Sequence, residues 1–196
     1  MKLKAVKIIT PIVLIIISCV ISIHFGEKVL SKNIPVKANI LIIEGWLPAE
    51  ALEMIPERVN LSGYESILIT GMAFTKNVKS EAKNTADFLK LLGVKEPLIT
   101  LDTLYPGRNR TRAYAVNCKK WIDISYKGKP YSINIISLDF HSKRTYFTYK
   151  SLEKGIDIGI ISMPVTNSSD LYISSRIERY RYILKEYISL ILNFLY

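Results

Sequence analysis

The sequence predicts an α/β domain, a parallel five-stranded sheet with helices on both faces, preceded by one N-terminal transmembrane helix. Three observations predict it. Short apolar runs of strand length recur at residues 39–43, 66–70, 98–101, 131–138 and 156–163. A single helix-length stretch separates each run from the next, the spacing of parallel strands joined by crossover helices. Residues 8–25 are almost wholly apolar and carry no Asp, Glu, Lys or Arg.

The elements follow in order. The run at 39–43 has no polar alternation, the pattern of a strand buried on both faces, and it runs into Glu44-Gly45-Trp46. Pro48 suits the first position of a helix reaching about Asn60. Residues 66–70 form the second strand, which Gly71 breaks. A helix opens at Ser80-Glu81-Ala82 with Phe88, Leu89, Leu91 and Leu92 inward, and Gly93 stops it. After the short strand at 98–101, the loop from Tyr105 to Thr111 feeds a helix with Ala113, Ala115, Val116, Cys118 and Trp121. The fourth strand, 131–138, leads through a short turn to a helix over 141–154, stopped by Gly155. A fifth strand at 156–163, a polar loop at 166–175 and a long helix over 176–196 complete the chain. That last helix is amphipathic at first and nearly all apolar from Tyr187, which suits packing over the sheet or contact with a membrane surface or partner.

A chain of 196 residues, 49% hydrophobic, has room for an anchor and one such domain. As a helix, residues 8–25 would extend about 27 Å, close to the thickness of a hydrocarbon core. Lys2, Lys4 and Lys7 precede the span, so the N-terminus, residues 1–7, is expected in the cytoplasm and the domain on the far side of the plasma (inner) membrane. Ile16-Ile17-Ser18-Cys19 resembles a lipoprotein cleavage box, but Val20 to Ile23 prolongs the apolar run past the cysteine. Residues 26–38 form a short polar connector, and 39–196 the domain.

The net charge of +10 divides between the membrane flank and the domain: residues 1–37 hold six Lys against one Glu. Most of the remaining excess falls between Tyr105 and Thr145, where nine Lys and Arg face only Asp123 and Asp139. No DNA or RNA module accompanies this patch, and nucleic acid is not the expected partner. Two cysteines, Cys19 and Cys118, supply neither a disulfide framework nor zinc spacing. No G-x-G-x-x-G, P-loop, G-x-S-x-G, His-x-x-x-His or carboxylate cluster at metal spacing is present. The sequence thus names no metal and no cofactor.

Ligands of parallel sheets bind beyond the carboxyl ends of the strands. Here those ends are Glu44-Gly45-Trp46, Gly71-Met72, Asp102 onward, and Ser137 to His141. Residues 134–145, Asn-Ile-Ile-Ser-Leu-Asp-Phe-His-Ser-Lys-Arg-Thr, place an imidazole and a guanidinium where a strand meets a helix start, with Arg144 in the first turn. Arg108, Arg110, Lys143 and Arg144 are expected on one rim, and arginine forks and helix N-termini both favour phosphate or carboxylate. His141 is the candidate general acid or base. Glu44 and Glu81 are its candidate partners or bases, against a plain role as structural ion pairs. Trp46, Gly71, Arg108, Arg110, Thr111, Ser137 and Arg144 are the candidate ligand-binding residues.

Glu44-Gly45-Trp46-Leu47-Pro48, then Thr70-Gly71 with Ser80-Glu81-Ala82, then Arg108-Asn109-Arg110-Thr111, then Ser137 with His141 and Arg144 resemble in order and spacing the DUF218 family, also called YdcF-like or ElyC/SanA/YdcF. The likeness spans about residues 38–195 and is strongest to the branch with Glu-Gly-Trp-Leu-Pro. Many members carry an Asn-Thr pair followed by Glu-Asn at the third helix, whereas Arg110-Thr111 is followed here by Arg112, Ala113 and Tyr114. The resemblance implies a Rossmann-like domain, often membrane anchored, connected with bacterial cell-envelope biogenesis, and it implies no particular reaction. The expected partners are therefore the lipid bilayer, through residues 8–25, and an anionic small molecule or lipid headgroup. Acid/base-assisted transfer or hydrolysis at a phosphate and a non-catalytic binding or scaffolding role both fit this reading.

Overall fold

In the computed structural model, residues 30–73, 79–104, 109–153, 155–164 and 176–195 are described. The proposed span at 8–25, Cys19, Arg108 and the polar loop at 166–175 lie outside them. Among the described residues no helix is long and apolar enough to cross a membrane.

Each apolar run becomes a strand: β1 Ile40–Glu44, β2 Ser66–Ala73, β3 Leu98–Leu104, β4 Ile133–Leu138 and β5 Ile158–Met163. They form one parallel sheet in the order β3-β2-β1-β4-β5, a Rossmann-like α/β arrangement. The helices are α1 Ala49–Glu53, α2 Ile55–Arg58, α3 Glu81–Leu91, α4 Arg110–Ser125, α5 Asp139–Leu152 and α6 Arg176–Leu195. Alternation along β1 separates two cores. Leu41 and Ile43 pack with residues of α1, α2, α3 and α6, while Ile40 and Ile42 pack with residues of α4 and α5.

Several local expectations are corrected. Pro48 is the residue capping α1 rather than its first member, and the helix expected to reach Asn60 breaks at Met54. Pro56 has no N–H to return to the carbonyl of Leu52, so the chain restarts as α2 with the proline in its first turn. Gly71 does not break β2, which runs on to Ala73. A Cβ there would lie 2.1 Å from the backbone nitrogen of Ala82, so the missing side chain is what lets the start of α3 close on the strand. The inward face of α3 is Ala82, Thr85, Ala86 and Leu89, whereas Leu91 is 84% exposed. No turn separates β4 from its helix: Leu138 is extended and Asp139 begins α5, with its carboxylate at the positive end of the helix dipole. His141 is therefore the third residue of α5, and Arg144 its sixth, in the second turn rather than the first.

The connector is structured from Leu30. Ser31 donates its hydroxyl to Asp139, and the Asn33 side chain accepts the backbone N–H of Ser162 at 3.1 Å. Ile34 then pairs antiparallel with Ile160, on both backbone hydrogen bonds, and Ser132 donates its hydroxyl to the Lys37 carbonyl. The segment thus descends from the carboxyl end of the sheet to its amino end and meets the edge strand β5 on the way.

Candidate functional site

β1 ends on a charge. Glu44 is wholly buried, and its carboxylate accepts the hydroxyl of Ser137, from the end of β4, and that of Thr145 in α5 at 3.2 Å. A desolvated carboxylate is tolerable only with such donors. His141 Nε2 lies 3.8 Å from Glu44 Oε1, a contact that is an ion pair only with the ring doubly protonated.

His141 is 3% exposed and held on every side. Thr111 Oγ1, in the first turn of α4, is 3.3 Å from Nε2, and Glu186 Oε2, from α6, is 3.1 Å from Nδ1. The Trp46 ring meets the imidazole edge-on, with centroids 4.8 Å apart. Arg144 Nη2 is 3.0 Å from Nδ1 and donates to Glu186 Oε1 at 3.2 Å. Nδ1 cannot both donate to Glu186 and accept from a guanidinium that only donates. We assign the proton to Nδ1, donated to Glu186, because a bare ring nitrogen would set its lone pair against a carboxylate. Burial pushes the Glu186 carboxyl upward, but the His141 N–H and the positive charges of His141 and Arg144 outweigh it, leaving the group below the usual carboxylate range. With the ring doubly protonated, the two glutamates, Arg144 and His141 sum to zero charge.

Glu81 occupies a neighbouring station. Ser80 caps α3 by accepting the backbone N–H of Lys83. Glu81 Oε2 then accepts the backbone N–H of Met72 and the Tyr114 hydroxyl, both at 2.9 Å, and Arg110 Nη1 stands 4.0 Å from Oε1. Burial first, and the Glu81 charge second, hold the Tyr114 hydroxyl far above its ordinary range, so it serves as a donor. The carboxylate is engaged in fixing Tyr114 and the exit of β2, an arrangement closer to the structural reading of Glu81 than to a free base.

Beyond the carboxyl ends of the strands lies a cavity of about 280 Å³, and Glu81 is not among the residues that line it. Trp46, Arg110, Thr111, His141 and Arg144, all expected in the site, line it together. Two basic helix beginnings far apart in sequence thus meet at one hollow. Arg110, Arg144 and Lys185 stand against Glu186 on its walls, an excess of positive charge. Glu44 and Ser137 lie behind His141 rather than on the lining. Gly71 sits against Ala82 and does not line the cavity, nor does Lys143, and Arg108 is outside the described residues.

Tyr114, Thr145, Tyr182, Lys185, Glu186 and Ser189 join the site without having been singled out from the sequence. Glu186 did leave a signal: with Ile183 and Leu190 it falls at helical spacing on the buried face of α6, where a carboxylate must have a partner. Among the described residues no cluster of three or more His, Cys, Asp or Glu could hold a metal ion. A larger cavity, about 480 Å³, lies beneath the connector, but its lining contains no His, Cys, Asp or Glu, and the chemistry is concentrated in the smaller one. No protein-family model matches the chain, and a search of curated proteins finds no match either.

Proposed function

We propose that this chain is a single-pass, membrane-anchored envelope protein of the DUF218, YdcF-like type, with its α/β domain on the extracytoplasmic side. In this reading the domain binds an anionic, phosphorylated envelope metabolite or lipid-linked precursor and catalyses acid/base-assisted transfer or hydrolysis on it. One observation carries the reading: His141, keyed by Glu186, stands in the wall of a cavity that Arg110, Arg144 and Lys185 make positive. Arg110 and the backbone donors at the start of α4 would receive the anion. Arg144 is the less available of the two arginines, since Glu186 already holds it. With Nδ1–H committed to Glu186, Nε2 is the nitrogen that exchanges a proton, beside the Thr111 hydroxyl.

A second reading has its own support. Both ring nitrogens of His141 already have partners within the protein, as a purely architectural imidazole would, and this favours a binding module without chemistry.

Calorimetry of the full-length chain in mild detergent, titrated with inorganic phosphate and phenyl phosphate, separates these readings when combined with assays of phenol release. Arg110→Ala should weaken binding about tenfold or more, the loss expected for one charge-assisted hydrogen bond. His141→Asn should leave affinity nearly unchanged and abolish phenol release. Binding without release in the parent chain supports the module, and absence of binding to either probe overturns both. Resistance of the chain to alkaline extraction from vesicles tests the anchor separately.

A further inference from the structure

The outward face of α6 beside the cavity combines apolar and cationic side chains. Leu184 and Ile188 are 56% and 50% exposed, and Arg181 and Lys185 are exposed on the same face. Arg181, Leu184, Lys185, Ile188 and Ser189 together line a shallow surface depression, and Lys185 and Ser189 also line the anion cavity. The apolar strip therefore begins at the rim of the charged hollow. Exposure alone does not single it out, since Leu91 and Ile124 are 84% and 80% exposed. Those two stand at the ends of α3 and α4 that face the amino edge of the sheet, away from the cavity.

The second observation is where the chain joins the domain. Leu30 is buried in the core, Ser31 is tied to Asp139 at the end of β4, and Lys32 donates its backbone N–H to Ser142 and sets its ammonium 3.8 Å from the centre of the Tyr146 ring. Asp139 also accepts the Ser162 hydroxyl near the end of β5, at 2.8 Å. The connector is thus clamped at the carboxyl end of the sheet, the end that carries the cavity. Only residues 26–29 separate Phe25 from Leu30, and at full extension those five steps reach at most about 18 Å. If residues 8–25 span the bilayer, the cavity end of the domain is held beside it, and the amino end, a strand's length farther away, is not.

We infer that the domain rests with the carboxyl end of its sheet on the bilayer, and that Arg181, Leu184, Lys185 and Ile188 of α6 are its lipid-contact surface. The tether argument rests on the membrane-span reading above, while the chemistry of the α6 strip does not. Apolar side chains flanked by cations are the composition of an interfacial helix face on an anionic membrane. The cavity mouth then opens at headgroup level, and a ligand whose anionic group is carried on a membrane-embedded chain reaches Arg110 and His141 without leaving the lipid phase.

The test uses the full chain with Cys19→Ser, reconstituted in vesicles of phosphatidylglycerol and phosphatidylcholine. A portion of the phosphatidylcholine carries a nitroxide near the top of its acyl chain. A bimane label is placed through Ile188→Cys or, as a control, Leu91→Cys, both exposed positions. Cys118 is wholly buried, its thiol pushed up to about 12 by desolvation, and does not compete for label. Bimane at position 188 should be quenched several-fold more than at 91. Arg181→Glu should reduce that quenching in vesicles containing phosphatidylglycerol and leave it unchanged in pure phosphatidylcholine.

Equal quenching at the two positions overturns the inference. So does a blue-shifted but unquenched label at 188, which would mean that a second copy or another protein covers the strip. Alkaline extraction of the same vesicles reports on the anchor alone: a chain that is extracted yet quenched at 188 refutes the span and retains the docking face. A chain that resists extraction and is not quenched at 188 does the reverse.

Discussion

The two ends of α5 both bury a glutamate, and they bury it differently. At the far end Glu153, 6% exposed, accepts from the Tyr131 hydroxyl at 3.0 Å and from Lys119 Nζ at 3.3 Å, and Lys119 is shared with Asp123 at 2.9 Å. The amine is partly in water, and it can swing to Asp123 at little cost. At the near end Glu44 and Glu186 flank His141, while the arginine attached to Glu186 lines a cavity. The far cluster ties α4, α5 and the approach to β4 together, and none of its residues lines either the 280 Å³ or the 480 Å³ cavity. The near cluster sets two carboxylates on one exchangeable ring beside a positive cavity. Burial of an acid therefore does not by itself mark a site; burial against an imidazole, next to open space, is what makes the near cluster the candidate.

Removing the acid from each end sharpens the contrast most. Glu186→Leu strands the Arg144 guanidinium and the His141 imidazole in a nearly closed cluster, and a loss of about 3 kcal/mol is expected. Glu153→Leu removes the acceptor of the Tyr131 hydroxyl and frees a lysine that keeps Asp123 and water, and about 1.5 kcal/mol is expected. Chemical denaturation of the full chain in mild detergent, followed through tryptophan fluorescence, measures both. Equal losses would dissolve the distinction between the two ends.

A pH series reads the near cluster more gently. Because the folded-state Glu186 carboxyl is held below its ordinary range, its stabilising effect is complete above the unfolded-state value and is lost as pH falls through the depressed folded one. Glu186→Gln should lower stability at neutral pH. The gap between parent and variant should narrow progressively on acidification through and below the ordinary carboxylate range. A gap of constant size at every pH would mean that Glu186 contributes shape and not charge.

The sheet was easier to foresee than either end of α5, and the cluster around Glu153 was not foreseen at all. Uninterrupted runs such as Ile40–Ile43 have only one comfortable place, the middle of a parallel sheet, and Ser80 and Gly93 punctuate α3 by local chemistry alone. Trp46, Arg110, Thr111, His141 and Arg144 were legible as a group because strand ends of a parallel sheet share one rim whatever the side chains do. Gly71 was misread because its reason is tertiary, the nearness of Ala82, while a glycine considered in isolation looks like a break. The partner that keys His141 was missed for a related reason. Glu186 lies 45 residues beyond the ring, and only the path of α6 across the cavity brings them together.

The smallest effects belong to the outer members of the far cluster, and they fix its scale. Tyr131→Phe removes a donor to a carboxylate, for which about 1 kcal/mol is expected. Burial, and secondarily Glu153, push this hydroxyl up to about 12, so the loss should not vary between pH 6 and pH 9, roughly the span in which histidine and free cysteine titrate instead. Lys119→Ala should cost less, about 0.5 kcal/mol, because the Lys119 side chain is 35% exposed and solvent already screens both of its ion pairs. High salt should remove most of that small difference. If Lys119→Ala instead costs as much as Glu153→Leu and resists salt, the amine, more than the Tyr131 hydroxyl, supports the desolvated carboxylate. The far end would then be as tightly balanced as the near one, and what separates them would be the cavity alone.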